Sequence, residues 1–247
     1  MKKNFLRAMN RLLSLFDAKL VRCSTEADAS RFTMEAMIER LANRGVPIRC
    51  VIDIGASDGN WSIGCMKHFP EASYLAVEPL HERVDSLEKT KSRFPNFDYA
   101  LCLAGESDGE KLRLQVADDL DGSTVEGRHS GESRLCTSRT IDSVVAEKNL
   151  VGPYLLKFDT HGYELPILRG SSQVLQQTAA ILMETYNFRL TNDCLRFPQM
   201  CSYLEELGFR CVDFADPMLR VYDQAFWQMD LLFLREDSEV FQYHRYQ

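Results

Sequence analysis

Short apolar runs, separated by stretches long enough for a polar-faced helix, constrain this chain more than any other feature. "RCVIDIG", "SYLAVE", "FDYALCLAG", "PYLLKFD" and "AAILMET" read as strands buried on both faces. Between them lie "NWSIGCMKHF", stopped by Pro70, "LHERVDSLEKTKSRF", stopped by Pro95, "TIDSVVAEK" and "LPILRG". Apolar strands alternating with such helices demand a parallel sheet covered on both sides. "GEKLRLQVA" and "SRLCTSRT" read as shorter, half-exposed strands around the loop "DDLDGSTVEGRHSGE". "FPQMCSYLEELG" is an amphipathic helix stopped by Gly208, and "FRCVDFA" and "MDLLFLRE" read as a pair of strands at one edge. The expected architecture is α/β: a doubly wound, mostly parallel seven-stranded sheet over residues 46–247, with an N-terminal helical extension over 1–45.

Within that extension, a helix is expected from about Ala29 to Asn43, capped by Asp28 or Ser30, with Gly45 past its end. The first stretch, "MKKNFLRAMNRLLSLFDAKL", places apolar residues at helical spacing with Arg7, Arg11 and Lys19 between them. It suits a helix packed on the domain or in a subunit contact, with weak attachment to an anionic membrane as the alternative. No span is long enough to cross a membrane. The net charge of −7 argues against a dedicated nucleic-acid binder. The 8 cysteines form no CxxC pair, and several sit inside apolar runs. Reduced thiols packed as small hydrophobes, and hence a cytoplasmic setting, are expected.

"VIDIGASDGNWS" places Asp53 at a strand end, then Gly55 and Gly59, then a helix. Open parallel sheets bind ligands beyond the carboxyl ends of their strands. A dinucleotide site wants GxGxxG, so that pyrophosphate can rest on the helix start. Here the order is GxxxG, flanked by Asp53 and Asp58, which suits a ligand with a cationic end. Glu78 closes the second strand, where an acid can accept from both ribose hydroxyls. A nucleoside with a positive amino-acid tail, S-adenosylmethionine, fits that set. The glycine pair alone could equally be a structural turn.

"KFDTHGYELPILRG" crowds ionisable groups at the end of the fourth strand. Asp159 ends that strand and Glu184 ends the fifth, so both tips face the same mouth as Asp53. His161 and Glu164 lie in the turn between, which Gly162 lets bend. An imidazole suits proton transfer near neutral pH, so His161 is the first choice of general base, with Asp159 as the alternative. Asp159 and Glu184, with His161 or Glu164, also offer ligands for a divalent ion, although no compact motif marks a metal site. Glu164 could as well cap the following helix. Ser123 and Thr124 fall in the long insertion, which could wall an acceptor pocket or simply turn. Asp230, alone on an apolar strand, is expected to hold a buried hydrogen bond.

Six segments, "VIDIGASDGNWS", "AVEPLHERVDSL", "SRTIDSVV", "YLLKFDTHGYELPILRGS", "ILMETYNF" and "QMDLLFLR", resemble the FkbM family of S-adenosylmethionine-dependent methyltransferases, in the family's order. The resemblance runs from roughly residue 50 to 235. It implies a class I methyltransferase fold and O-methylation of a hydroxyl, most often on a sugar or polyketide. On the cofactor side it implies Asp53, Gly55, Ala56, Ser57, Asp58, Gly59, Asn60 and Trp61, with Glu78 and Leu103. The catalytic candidates read from the residues, Asp159, His161, Glu164 and Glu184, fall within the segments that carry the resemblance. Two positions depart from the pattern: relatives usually carry Glu or Gln at the place of His161, and Ala at the place of Leu103. The expected activity is O-methylation of a sugar hydroxyl in a glycan or glycolipid precursor. A nicotinamide-dependent oxidoreductase and a non-catalytic cofactor-binding module are the alternatives.

Overall fold

The computed structural model describes residues 30–125, 132–192 and 194–246. The amphipathic stretch at the start and part of the insertion loop lie outside the described residues. The chain divides into two compact units, 1–31 and 32–247, and the second holds both sheets.

Helix α1 (Met34–Asn43) opens it. Its cap is Thr33, whose hydroxyl accepts from the Ala36 N–H at 3.3 Å, so the helix starts later than an Asp28 or Ser30 cap would have it. Met37, Ile38 and Leu41 share one face and are buried, while Arg40 on another face forms an ion pair with Asp213 at 2.8 Å.

The main sheet follows from strands β1 (Cys50–Ile54), β2 (Ser73–Glu78), β3 (Phe97–Leu101), β8 (Tyr154–Phe158), β9 (Thr178–Tyr186), β10 (Phe209–Leu219) and β11 (Phe226–Arg235). Their order is β10-β11-β9-β8-β1-β2-β3. β1 lies parallel between β2 and β8, and β8 is parallel to β9. The antiparallel exception is β11, inserted between β9 and β10 at one edge. This is the expected seven-stranded, mostly parallel sheet, with the last two strands paired at its edge.

Alternate side chains of the central strands go to opposite faces, as the two-residue strand period requires. Ile52, Ile54, Leu156 and Phe158 pack on one face with α4 (Ile141–Glu147), α5 (Glu164–Arg169), α6 (Ser172–Gln176) and α7 (Phe197–Glu206). Val51, Leu155 and Leu182 pack on the other with α1, α2 (Asn60–Met66) and α3 (Val84–Arg93). The run "FDYALCLAG" is not one strand. After β3 the chain turns at Cys102, whose N–H bonds to Glu78 and Ala100 carbonyls, and enters β4 (Leu103–Ala104). β4 joins β5 (Lys111–Val116), β6 (Thr124–Val125) and β7 (Glu132–Arg139) in a second sheet, ordered β4-β7-β5-β6. Leu103, Leu112, Leu114, Val116 and Val125 form a small apolar cluster of its own with Leu80.

Candidate functional site

A cavity of about 290 Å³ opens beyond the carboxyl ends of β1, β2, β8 and β9. Gly55, Ser57, Glu78 and Leu103 line it, as do Asp159, His161 and Glu184. Thus four of the residues expected on the cofactor side and three of the four expected to do chemistry meet in one space.

The remaining expected residues are not among those that line it. Asp53 is fully buried within β1. Its carboxylate accepts from Ser62 at 2.8 Å and pairs with Lys157 at 3.1 Å. Ala56 belongs to the core under α2. Asp58 accepts from the Asn60 backbone and side-chain amides, closing the turn before α2. Gly59 caps that helix with φ +81°, against Leu87. Trp61 packs at the core edge with its ring 5.4 Å from the Lys157 ammonium.

Gly55 has a specific reason to be glycine. Its φ is +77°, and a Cβ there would lie 1.9 Å from the Asp159 carbonyl oxygen. The crossing of β1 and β8 alone therefore requires it. Glu78 accepts from the Ser57 N–H at 2.8 Å and the Leu80 N–H at 2.9 Å. Burial, opposed by those two bonds, raises its carboxyl to about 7. Each of its oxygens keeps a further lone pair for the cavity.

Past β8 the chain bends through two left-handed residues, His161 (φ +51°) and Gly162 (φ +99°). A non-glycine residue in that region is strained, a condition that clusters at functional sites. Glu164 holds the bend: it accepts from the Gly162 N–H at 2.8 Å and the Thr160 hydroxyl at 3.1 Å. It is buried outside the cavity wall, so the structure places it in turn formation.

His161 Nδ1 lies 2.8 Å from the Tyr186 hydroxyl and 3.3 Å from Glu184, and Nε2 lies 2.5 Å from the Asp121 carbonyl. A carbonyl can only accept, so Nε2 carries a proton. The Tyr186 hydroxyl donates to Glu184, so Nδ1 must donate as well. The imidazole is doubly protonated. Burial works against that charge, but Glu184 and Asp159 outweigh it and raise the group to about 9. Asp159 is held below the usual carboxylate range: burial opposes its charge, and Lys157, at 3.0 Å, and His161 together overcome this.

Asp159, His161 and Glu184 each place a ligand atom within 4.8 Å of one another, a group that could grip a cation once His161 has given up a proton. Asp230 lies opposite Glu184 across β11 and β9. Among the described residues its carboxyl has no hydrogen-bond partner, contrary to expectation. Burial, then Glu184 and Asp159, push it up to about 8. Ser123 and Thr124 both line the cavity, and Thr124 donates to the His161 carbonyl at 2.9 Å.

Sequence reasoning missed Lys157, Arg83, Asp121 and Tyr186. Lys157 had a signal, since a lone cation inside an apolar strand needs a buried partner. Tyr186 stands two positions past Glu184 on β9 and Arg83 shortly after Glu78, whereas Asp121 reaches His161 from 40 positions away.

The chain matches the methyltransferase FkbM domain over residues 53–211. Among solved structures it is similar to the methyltransferase FkbM from Methylobacillus flagellatus KT, with 17% identity and a TM-score of 0.49. That match covers 74% of this chain and 43% of the other, so the chain spans less than half the length of that structure. The magnesium protoporphyrin IX methyltransferase from Synechocystis PCC 6803, solved with bound S-adenosylmethionine, matches at 10% identity and a TM-score of 0.45, covering 92% and 91% of the two chains. No curated protein matched. With the matched domain spanning well over half its length, the chain belongs to the FkbM family of S-adenosylmethionine-dependent methyltransferases.

Proposed function

We propose that this chain methylates a hydroxyl, that of a sugar in a glycan or glycolipid precursor, with S-adenosylmethionine as donor. One observation carries the reading: Glu78 and the Asp159–His161–Glu184 group wall the same cavity. Its other walls fit the cofactor. Glu78 has lone pairs to spare for ribose hydroxyls, Ser57 and Arg83 are donors, and Leu103, Ala104 and Leu114 offer apolar surface to a purine. When bound, the cofactor supplies a methyl group already activated by its sulfonium.

This chain's residues then have to align the acceptor and remove its proton. His161, protonated on both nitrogens and held by Tyr186 and the Asp121 carbonyl, sets a positive charge beside the acceptor oxygen. Asp159, ionised and 3.8 Å from His161 Nε2, takes the proton. This reverses the expected order of the two, because an imidazolium is no base until it loses a proton. Glu184 fixes His161, being itself held by Tyr186 and Gln228. Neighbouring carboxylates and an imidazolium suit an acceptor with several hydroxyls. The three-residue group that could grip a cation favours a second reading, in which a divalent ion acidifies the acceptor hydroxyl. A cytosolic setting belongs to the proposal, supported by seven free cysteines among the described residues. Among those residues no helix is long and apolar enough to cross a membrane.

Methyl transfer from labelled cofactor to a panel of extracted glycans, lipids and small metabolites, with and without EDTA, tests the activity and the ion. Asp159→Asn should lower turnover by roughly 10²–10⁴-fold while S-adenosylhomocysteine still binds. Calorimetric binding of NAD but not of S-adenosylhomocysteine would sink the reading.

A further inference from the structure

The hairpin of β10 and β11 turns at the cavity end of the sheet. β11 is antiparallel to β9, so it begins beside the strand end that carries Glu184. Gln228 lies opposite Tyr186, and its side-chain amide donates to Glu184 on the cavity wall. Two residues earlier Phe226 pairs with Leu219, about 7 Å further along the strand. Residues 220–225, which join the two strands, therefore stand beyond the rim. Aromatic rings fill the way between: Tyr186 meets Trp227 edge-on, Trp227 stacks on Phe188 at 5.3 Å, and the Arg220 guanidinium lies 4.3 Å from the Phe188 ring.

This turn is apolar at its surface and neutral in charge. Met218 and Leu219 are half exposed, and Val221 and Tyr222 are 93% and 91% exposed. The cation among them, Arg220, is matched by Asp223 through two bonds of 2.6 Å. The turn is also fixed: the Arg220 N–H donates to the Ala225 carbonyl at 2.9 Å, and the Gln224 N–H to the Arg220 carbonyl at 3.0 Å. Four apolar side chains are thus held in water on a rigid, uncharged support, so that binding a partner has little left to order.

The shape selects the partner. A stable protein interface buries about 800 Å² on each side, more than one protruding turn can offer. A lipid surface accepts a narrow tip, since apolar side chains enter the acyl boundary while Tyr and Arg keep their polar ends at the headgroups. We propose that residues 218–222 dip into a phospholipid surface and set the cavity mouth against it. The inference rests on the glycolipid reading above and supplies what that reading needs. An acceptor whose lipid stays in the membrane is met by a site that faces the membrane.

Flotation of the full chain with phosphatidylcholine vesicles, without any acceptor, tests this. Val221→Ser combined with Tyr222→Ser should lower vesicle binding at least about tenfold, while S-adenosylhomocysteine affinity by calorimetry stays within about twofold. Vesicle binding should change little between low and high salt, because the tip is neutral. In Tyr222→Trp, tryptophan emission should shift to the blue on binding and be quenched by dibrominated phosphatidylcholine. Absence of vesicle binding by the unaltered chain would overturn the proposal. So would equal binding by the double variant, or emission in Tyr222→Trp that lipid bromine leaves unquenched. Self-association abolished by the double variant, in place of vesicle binding, would overturn the lipid assignment in favour of a second copy. A chain that binds no vesicle yet methylates a soluble glycan would overturn the membrane contact alone. One that binds vesicles but not S-adenosylhomocysteine would instead overturn the activity beneath it.

Discussion

The Asp159 carbonyl stands where a side chain on Gly55 would begin, 1.9 Å from the position of a Cβ. The contact is backbone on both sides, because the Asp159 N–H donates to the Ile54 carbonyl at 3.0 Å and fixes the crossing. The glycine that looks like a ligand cradle is first a requirement of the sheet. Gly55→Ala must push β8 away from β1 and also adopt a positive φ. We expect a loss of about 3 kcal/mol or more, above the usual cost of overpacking. Urea unfolding measures it, and a loss below about 1 kcal/mol would mean that the strands yield easily.

His161 gives stability a definite pH dependence. Its pKa in the folded chain is raised to about 9, from an unfolded value near 6.5. The native state therefore binds the proton more tightly. The associated stability is complete below the unfolded value and is lost as pH rises through about 9. Its size is on the order of 2–3 kcal/mol at most, since part of the side chain meets solvent. Unfolding free energies of the protein and of His161→Gln should differ at about pH 6 and converge by about pH 10. A gap that stays constant across that range would show that the imidazole is not held as a cation.

Glu78 should make cofactor binding pH-dependent in the opposite sense. Burial raises its carboxyl to about 7, while ribose hydroxyls donate best to the ionised form. Affinity for S-adenosylhomocysteine is then expected to rise as pH increases through about 7. Glu78→Gln should bind about tenfold more weakly above that pH and lose the dependence. Titrations across the range decide it, and a parallel pH profile in the variant would assign the dependence to another group.

The sheet was readable because its strands are short apolar runs punctuated by helices, a pattern set locally. The break after β3 was not readable, because "LCLAG" stays apolar while Cys102 turns to bond with Glu78 and Ala100. At the site, residue types marked the strand tips, and Glu78, Asp159, His161 and Glu184 do share a cavity. What the sequence could not show was where each side chain turns. Asp53 looked like a ligand contact until the register set it directly opposite Lys157 on β8. Glu164 closes its own turn, a local hydrogen bond that residue type does not announce. Asp121 reaches His161 across 40 positions, so no spacing rule could have found it.

Lys157 joins the buried and the functional parts of the site, and its removal should affect both. Its ammonium lies 3.1 Å from Asp53 and 3.0 Å from Asp159, with 6% of the side chain exposed. Burial works against its charge, yet the two carboxylates hold it above the usual lysine range. Lys157→Met leaves Asp53 buried without its cation, at a cost of about 3–5 kcal/mol. Asp53→Asn removes that stranded charge and can still accept from Ser62. The double variant should therefore be more stable than the sum of the single losses, by on the order of 1–3 kcal/mol. Strict additivity in a denaturant cycle would show that the pair contributes nothing. The same substitution removes the cation that holds Asp159 down, so its carboxyl should rise towards the ordinary range or above. If Asp159 takes the acceptor proton, the acid limb of the turnover profile in Lys157→Met moves to higher pH. An unmoved limb would place the proton acceptor elsewhere.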